Sequence, residues 1–268
     1  MSSILRCCNS FIYLPSSFDI RARGWFNRGL KVRTVIFGSL LAFQGALGWY
    51  MVKSGLEESQ LTSGHQPRVS QYRLAAHLGT AMAFYSLLFW NALTALVPAP
   101  PPASLPAPSA GLLRLKRLAG TSKLLVFVTA LSGAFVAGLD AGLLYNTWPM
   151  MADRWIPSDL IRATPLWRNA FENATTVQFN HRHLAEATAL FILGAWAYSL
   201  RLPLPRRARI ASHLLAATVL TQATLGVCTL LWAVPTELAA AHQAGALTTL
   251  SVALWLSTEL RWIKRLPK

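Results

Sequence analysis

Three histidines lie at the same depth in the apolar runs of this chain. His77, His181 and His242 each stand just inside the start of such a run, and all three enter it from the same side. A neutral imidazole in hydrocarbon needs a polar partner, so histidines inside membrane spans indicate a functional site. Several histidines at one depth on neighbouring helices favour metal or heme ligation over scattered hydrogen bonding.

The composition is typical of an integral membrane protein. Of the 268 residues 53% are apolar and 13% are charged, and ten are Trp. The formal net charge of +15 would also suit a nucleic-acid-binding protein. However, the basic residues lie in short connections between apolar runs, as topogenic charges do, and we therefore expect no nucleic-acid partner. Cys7, Cys8 and Cys228 form no spaced pair, and no disulfide framework is implied.

Six apolar runs predict an all-α integral membrane protein with about six transmembrane helices. The runs lie at about residues 34–52, 74–97, 123–139, 176–200, 210–234 and 238–258. The fourth run is the weakest because polar residues fill its first turns. The third is short, and we expect Lys123 to extend it by reaching towards the headgroups.

Charge alternates between the connections. Basic residues precede the first run, separate the second from the third and the fourth from the fifth, and follow the sixth, whereas the acidic residues lie in the other connections. By the positive-inside rule both termini face the cytoplasm or its organellar equivalent. The three histidines then lie near the opposite face.

The chain divides into five segments by composition. These are a non-spanning segment 1–30, two spans in 31–97, a Pro/Ala linker 98–118, four spans in 119–262 and a basic tail 263–268. The first 20 residues contain Arg and Ser and few acids, which leaves a transit peptide open.

A long connection follows the third run, from Asp140 to Val177. Its aromatic residues are Tyr145, Trp148, Trp155 and Trp167. They suit an interfacial lid over a site, and they suit equally a loop that rests on the headgroups.

Two short patterns repeat. Gln44-Gly-Ala-Leu-Gly48 in the first run matches Gln222-Ala-Thr-Leu-Gly226 in the fifth, and Ala75-Ala-His77 in the second matches Ala240-Ala-His242 in the sixth. Four spans separate the copies, so both have the same orientation and indicate a parallel repeat. The third and fourth runs, with His181, have no counterpart pair in the first part of the chain.

Longer segments carry a resemblance to a known family. They are Phe43–Glu57, Arg68–Gly79, Leu131–Gly142, Phe171–Arg182 and Ala240–Gln243. Together they resemble heme A synthase, the COX15/CtaA family of cytochrome c oxidase assembly proteins. Members of that family have eight spans in a pseudo-symmetric pair of four-helix bundles, each of which holds a heme between two histidines. The resemblance implies that this chain is an N-terminally truncated remnant of that architecture.

The resemblance also implies a division of roles. His181 and His242 would ligate the iron of a cofactor heme, heme b, and His77 would ligate the iron of the substrate, heme O, whose ring methyl is oxidised to the formyl group of heme A. Arg182 and Arg73 would pair with the propionates of the cofactor and the substrate heme respectively. Ordinary headgroup anchoring explains both arginines equally well. We expect His181 and His242 to come from adjacent helices.

The sequence departs from the family in its first half. A Glu-x-x-His-Arg motif, which supplies the second ligand of that half and an acid implicated in catalysis, has no counterpart, so no catalytic residue is assigned. We therefore expect this chain alone to turn over poorly. Gln178 and Asn180 stand where the family has other residues, while His183 and Glu186 are expected to be paired on one helix face or partly solvated. His65 and His213 are expected to be solvated or interfacial.

Three functions follow as alternatives. The first is a heme A synthase-type oxidoreductase of the mitochondrial inner membrane, with both termini in the matrix. The second is a non-catalytic bis-histidine heme cytochrome or assembly factor, and the third is a transporter or scaffold whose histidines bind no metal. Expected partners are the lipid bilayer, heme O, a second copy of the chain, heme O synthase and an electron donor.

Overall fold

Six long helices occupy the six predicted spans. The computed structural model describes residues 28–55 and 69–263. The helices are α1 (Arg28–Gly55), α2 (Gln71–Leu96), α3 (Ala110–Gly138), α4 (Ala174–Ser199), α5 (Arg206–Leu231) and α6 (Thr236–Leu260). Residues 1–27 and 264–268 of the predicted terminal segments lie outside the described residues, as does His65, and residues 28–30 belong to α1.

The predicted fold class is confirmed. Within the described ranges all long elements are helical, and α1, α2, α3 and α5 are long and apolar enough to cross a membrane by length and composition. The helices α4 and α6 fall short of that criterion. In α4 the reason is the polar sequence around His181, which also made the fourth span the weakest in the sequence.

The helix α3 starts earlier than its apolar run predicts. It begins at Ala110 rather than at Lys123 and has 29 residues, so the second half of the predicted 98–118 linker is helical. The cause is a helix cap, since the Ser109 hydroxyl accepts a hydrogen bond from the Leu112 amide at 3.3 Å. At 1.5 Å per residue the helix is about 43 Å long, and it needs no extension by Lys123 to cross a bilayer.

The last four helices form a ring. The helix α3 packs against α4 and α6, and α5 also packs against α4 and α6. Consequently α4 and α6 face each other across the bundle. The helix α2 packs outside this ring, on α3 and α6.

The chain separates into two compact units within α1. The first unit ends at Gly45 and the second runs from Ala46 onwards. The last part of α1 therefore belongs to the same unit as the ring. The predicted boundaries at residues 97 and 118 do not coincide with this division, and they stay predictions about sequence segments.

Fully buried leucines lie at the basic end of the ring. Leu112 and Leu115 at the start of α3 and Leu260 at the end of α6 are no more than 1% exposed. They pack with Ile192 of α4 and the first turns of α5. The histidines lie at the other end of the same helices, so the apolar core holds the bundle together at a distance from them.

Hydroxyl pairs join neighbouring helices between these two ends. Thr129 of α3 bonds Thr188 of α4 at 2.9 Å, and Tyr85 of α2 bonds Ser251 of α6 at 2.7 Å. Inside a membrane such bonds satisfy polar groups that water cannot reach, and they fix helices in register.

Labelling should place the connections on opposite faces of the membrane. With the native cysteines replaced by Ser, a cysteine at Ala103 should react from the side of the basic connections. A cysteine at Ser158 should react only from the other side, because both positions are exposed and one predicted span, α3, lies between them. A membrane-impermeant maleimide applied to sealed vesicles of either orientation makes the measurement. Reaction of both positions from one side would contradict the topology.

Candidate heme-binding site

The matched depth of the histidines is present in the structure. His77 lies six residues beyond Gln71, the first residue of α2, and His242 lies six beyond Thr236 in α6. His181 lies seven residues beyond the start of α4. Each imidazole is therefore about 10 Å inside its helix. All three are half-buried, so each keeps an accessible edge.

In the four-helix ring, the imidazoles of His181 and His242 are each held at Nδ1 by a side chain of the preceding helix. The Ser132 hydroxyl of α3 lies 2.7 Å from Nδ1 of His181. The Gln222 amide of α5 lies 3.1 Å from Nδ1 of His242 and donates to the His242 carbonyl at 2.9 Å. A polar group on one ring nitrogen fixes the orientation of an imidazole and leaves the other nitrogen to bind a metal.

His181 and His242 come from opposite helices of the ring. They stand on α4 and α6, each of which packs against both α3 and α5. The expectation of adjacent helices was therefore wrong. The order of the apolar runs predicts which helices follow one another along the chain, but it does not predict which helices pack side by side in the bundle.

His77 stands in a separate environment. It belongs to α2, outside the ring, and its ring lies against Gly48 of α1. One turn before it, the Arg73 guanidinium lies 5.1 Å from the centroid of the Tyr50 ring, a cation–π contact. The structure thus brings Arg73 and His77 to the same end of α2 and separates them from the pair in the ring.

Arg182 holds the long connection rather than facing away from the protein. It is 9% exposed, and its guanidinium donates to the carbonyls of Tyr145, Pro149 and Met150 at 3.2–3.4 Å. The Gln178 amide donates to the Tyr145 carbonyl at 3.1 Å as well. Sequence reasoning missed this role, because acceptors more than 30 residues away leave no local signal.

Two asparagine side chains, Asn169 and Asn173, fix the rest of residues 140–173, which we term the lid. Asn169 accepts from the amides of Arg162 and Ala163 and donates to the carbonyls of Ala163 and Leu166. Asn173 caps α4 through the Thr175 amide and donates to the Asp159 carbonyl at 2.8 Å. A segment with its main-chain groups satisfied in this way is an ordered layer, which favours the predicted lid over a loop that merely rests on headgroups.

Asp159 is the charged centre of the lid. It accepts from the Thr175 hydroxyl at 2.7 Å and the Tyr145 hydroxyl at 3.0 Å, and Arg162 lies 3.3 Å away. Burial raises the pKa of the Asp159 carboxyl, but these hydrogen bonds and the nearby guanidinium outweigh burial and hold the pKa below its usual value. Asp159 therefore stays a carboxylate throughout the physiological range.

The lid also reaches α2. Tyr72 donates to Glu172 at 3.0 Å, and the Gln71 amide donates to the Phe171 carbonyl at 3.3 Å. The rings of Tyr72, Phe135 and Phe171 pack together with centroids 5.4–6.4 Å apart. The segment that Arg182 anchors near His181 thus contacts the start of the helix that carries His77.

Two further polar residues of α4, His183 and Glu186, lie on its exposed side. His183 stacks on Phe179 with ring centroids 4.0 Å apart and bonds the Phe179 carbonyl, while Glu186 accepts from Trp148 at 3.3 Å. Both are exposed, which agrees with the expectation of partial solvation. His213 is also exposed, and its Nδ1 accepts from Trp196.

Comparisons with known proteins agree with one another. A family model described as cytochrome oxidase assembly protein matches residues 6–254. The chain is 54% identical over 255 residues to a heme A synthase COX15 of Bos taurus, across 95% of this chain and 60% of that relative. A heme A synthase of Nitrosospira multiformis is 48% identical over 233 residues, across 87% of this chain and 62% of the relative. No solved structure matches the chain.

These relatives are longer than this chain. The sequence spans about 60% of the length of the curated relatives named here, and the same share holds for a heme A synthase COX15 of Homo sapiens at 52% identity. Family membership therefore rests on nearly the whole of this chain, whereas the relatives' activity belongs to longer proteins.

Replacing Asp159 should loosen the lid. Asp159→Asn removes the charge that three groups contact, and hydrogen bonds to charged groups contribute about 2 kcal/mol. Amide hydrogen exchange in residues 140–173 should therefore be roughly 30-fold faster, since 1.4 kcal/mol is tenfold. Asp153→Asn, at an exposed carboxylate 3.9 Å from Arg154, is the matched control and should change nothing.

The pH dependence of lid protection follows from the depressed pKa. The contribution of Asp159 is complete above the ordinary aspartate pKa of about 3.9 and is lost only as the pH falls through the lower folded-state value. Protection should therefore be constant from about pH 5 to 8 and decline below about pH 4. Equal amide exchange of the lid in Asp159→Asn and Asp153→Asn would contradict the role of Asp159 in holding the lid. A decline of protection near neutral pH in the wild type would contradict it as well.

Proposed function

Because the chain belongs to the cytochrome oxidase assembly protein family, we propose that it acts in heme A synthesis. The reaction is the oxidation of a ring methyl of heme O to the formyl group of heme A, for use in cytochrome c oxidase. The relatives named heme A synthase support this reading. The structural observation that carries it is the pair of Nδ1-anchored imidazoles on opposite helices of one bundle.

His181 and His242 are proposed as the two residues that would hold the iron of a resident heme b. The two residues fit a heme. Both are imidazoles at one depth, Nδ1 of each is held by Ser132 or Gln222, and Nε2 is left to bind the iron. Opposed helices are the arrangement by which bundles hold cofactors. When bound, a heme with two histidine ligands supplies one-electron transfer.

Arg182 contributes to this site by placing the lid. Its bonds to the carbonyls of residues 145–150 hold the lid next to His181, and they take up the guanidinium donors that a propionate would otherwise receive. Arg182 would bind a propionate by exchanging one of these carbonyls for it. In either state the residue keeps water from the histidine end of the bundle.

His77 and Arg73 are proposed to bind the substrate heme O. They lie one turn apart on α2, outside the ring, so substrate and cofactor would have separate sites. His77 would ligate the iron, and Arg73, whose guanidinium lies over the Tyr50 ring, would attract a propionate. The contact of Tyr72 with Glu172 would close the lid over the same end of α2.

The setting is proposed to be the mitochondrial inner membrane, with the basic connections and both termini in the matrix. Heme O synthase and an electron donor would be its functional partners, and a second copy of the chain is a further proposed partner. A non-catalytic heme cytochrome is the second candidate function. It is favoured by the two anchored imidazoles, because two axial histidines fill the coordination of the iron and suit electron transfer.

Loss of either axial histidine should abolish a low-spin heme spectrum. The purified chain reconstituted with heme b should give a low-spin b-type optical spectrum. His181→Ala and His242→Ala should each lose the heme or turn it high-spin, since each removes one of two iron ligands. His213→Ala is the control, because that exposed ring bonds Trp196, and its spectrum should match the wild type. Unchanged low-spin spectra in both ligand variants would refute the site.

Heme A production should depend on His77. A chimera in which this sequence replaces the matching part of the bovine relative is expressed in cells that lack their own heme A synthase, and extracted hemes are separated by chromatography. We expect heme A from the chimera and at least about tenfold less from its His77→Ala variant, with the low-spin spectrum of the ring site intact.

The same assay separates the two candidate functions. A chimera that binds heme with a normal low-spin spectrum and converts no heme O would refute heme A synthesis and support the cytochrome. Full heme A production by His77→Ala would leave the reaction in place and refute the proposed substrate site.

A further inference from the structure

The imidazole of each of the three histidines packs against a glycine of the preceding helix. A Cβ atom at Gly48 of α1 would lie 2.9 Å from Cε1 of His77, and one at Gly226 of α5 would lie 2.8 Å from Cε1 of His242. In the third pair, a Cβ at Gly133 of α3 would lie 3.2 Å from Cε1 of His181. Non-bonded carbon atoms are at their best separation at about 3.5–4.0 Å, so no larger residue fits without moving a ring.

We propose that Gly48, Gly133 and Gly226 are positioning residues that set where each imidazole presents its metal-binding nitrogen. The proposal rests on the proposed function, because it concerns hemes bound by these rings. The Cε1 edge of each ring points at a glycine, while in the two ring pairs Nδ1 contacts Ser132 or Gln222. Two contacts on the same side of an imidazole fix both its distance from the helix and its rotation.

The three glycines stand where a helix would otherwise favour another residue. All lie inside long helices, between Arg28 and Gly55, Ala110 and Gly138, or Arg206 and Leu231. Glycine has a far lower helix propensity than alanine there. Close approach of another group to the helix is the physical reason that such a position keeps glycine.

Two other helical glycines, Gly120 and Gly194, lack that reason. A Cβ at Gly120 of α3 or Gly194 of α4 would meet nothing within 4 Å. They share the helices of the Gly133–His181 pair and therefore provide matched controls. Alanine at these two positions should raise helix propensity without touching a histidine.

One pair has a second glycine behind the anchoring side chain. The Oε1 atom of Gln222 is buried with no hydrogen-bond partner among the described residues, and it lies directly against Gly245 of α6. The amide end of the same side chain contacts Nδ1 of His242. Gly245 thus leaves room for Gln222, and Gln222 in turn orients the imidazole.

The pairing also extends the internal repeat. Glycine near the end of one helix and histidine near the start of the next recur in α1–α2, α3–α4 and α5–α6. In the third and fourth spans, which the sequence patterns left without a counterpart pair, the glycine stands in Ser132-Gly133 rather than in the Leu-Gly of the other two copies. The repeated unit is therefore a helical pair with one glycine and one histidine.

Alanine substitution tests the proposal on the heme-loaded chain. Gly226→Ala and Gly133→Ala are compared with Gly120→Ala and Gly194→Ala for heme affinity, for the electron paramagnetic resonance g values of the low-spin ferric heme, and for thermal unfolding of the heme-free protein. Those g values depend on the relative orientation of the two axial imidazole planes. We expect about tenfold weaker heme affinity for Gly226→Ala, as for loss of other groups that orient a ligand.

The effects should follow the distances. Gly133→Ala should shift the g values with a smaller loss of affinity, since its 3.2 Å contact can relax by a few tenths of an ångström. The two controls should keep wild-type g values and affinity and should unfold at or above the wild-type temperature. If Gly226→Ala does not fold, Gly133→Ala, whose contact is less close, tests the positioning role.

Failure of this inference is distinguishable from failure of the proposed function. A wild-type chain without a low-spin spectrum would refute the heme site itself. A wild-type low-spin spectrum with identical g values and affinities in Gly133→Ala, Gly226→Ala and both controls would overturn the positioning role alone. A lower unfolding temperature in the two site variants with unchanged g values would also overturn it, by showing a purely structural role.

Discussion

An imidazole inside a bundle of apolar helices is stable only with a polar partner and close packing around its ring. In this protein both conditions are met within one pair of consecutive helices. His181 finds Ser132 and Gly133 on α3, and His242 finds Gln222 and Gly226 on α5. Each ring is thus fixed by contacts within its own helical pair. The bundle then has only to bring two prepared helical pairs face to face.

The rest of the bundle serves that meeting. Its fully buried leucines, Leu112, Leu115 and Leu260, lie at the end away from the histidines, and hydroxyl pairs such as Thr129–Thr188 fix the register between the ends. The buried apolar core and the histidines are therefore separated along the helix axes. The histidine end keeps half-buried, accessible rings because apolar contacts elsewhere hold the helices together.

Much of this architecture could be predicted from the sequence, for identifiable reasons. Apolar runs of span length gave the helices, and the position of His77, His181 and His242 within those runs gave their depth, because both depend on local sequence alone. The early start of α3 was missed because basic residues beside Leu112 and Leu115 mask its apolarity, although Ser109 was a readable capping signal.

Other features depend on contacts between distant residues and left no local pattern. That α4 and α6 oppose each other follows from ring closure, and the carbonyl partners of Arg182 follow from the path of the lid. Gly226 was visible in the sequence as part of a repeated pattern. Its contact with His242 became visible only when α5 and α6 were placed side by side.

The lid connects the two proposed heme sites physically. Buried Arg182 and Gln178 hold it to α4 next to His181, while Tyr72 and Gln71 hold it to the start of α2, one to two turns before His77. Since both sets of bonds hold one segment, an opening that exposes His181 to water strains the contacts near His77 as well. We therefore expect water exclusion at the two proposed sites to be coupled through the lid, by the carbonyls that Arg182 contacts and by Tyr72. An oxidation that needs a dry substrate and a dry electron carrier at the same time gains from such an arrangement.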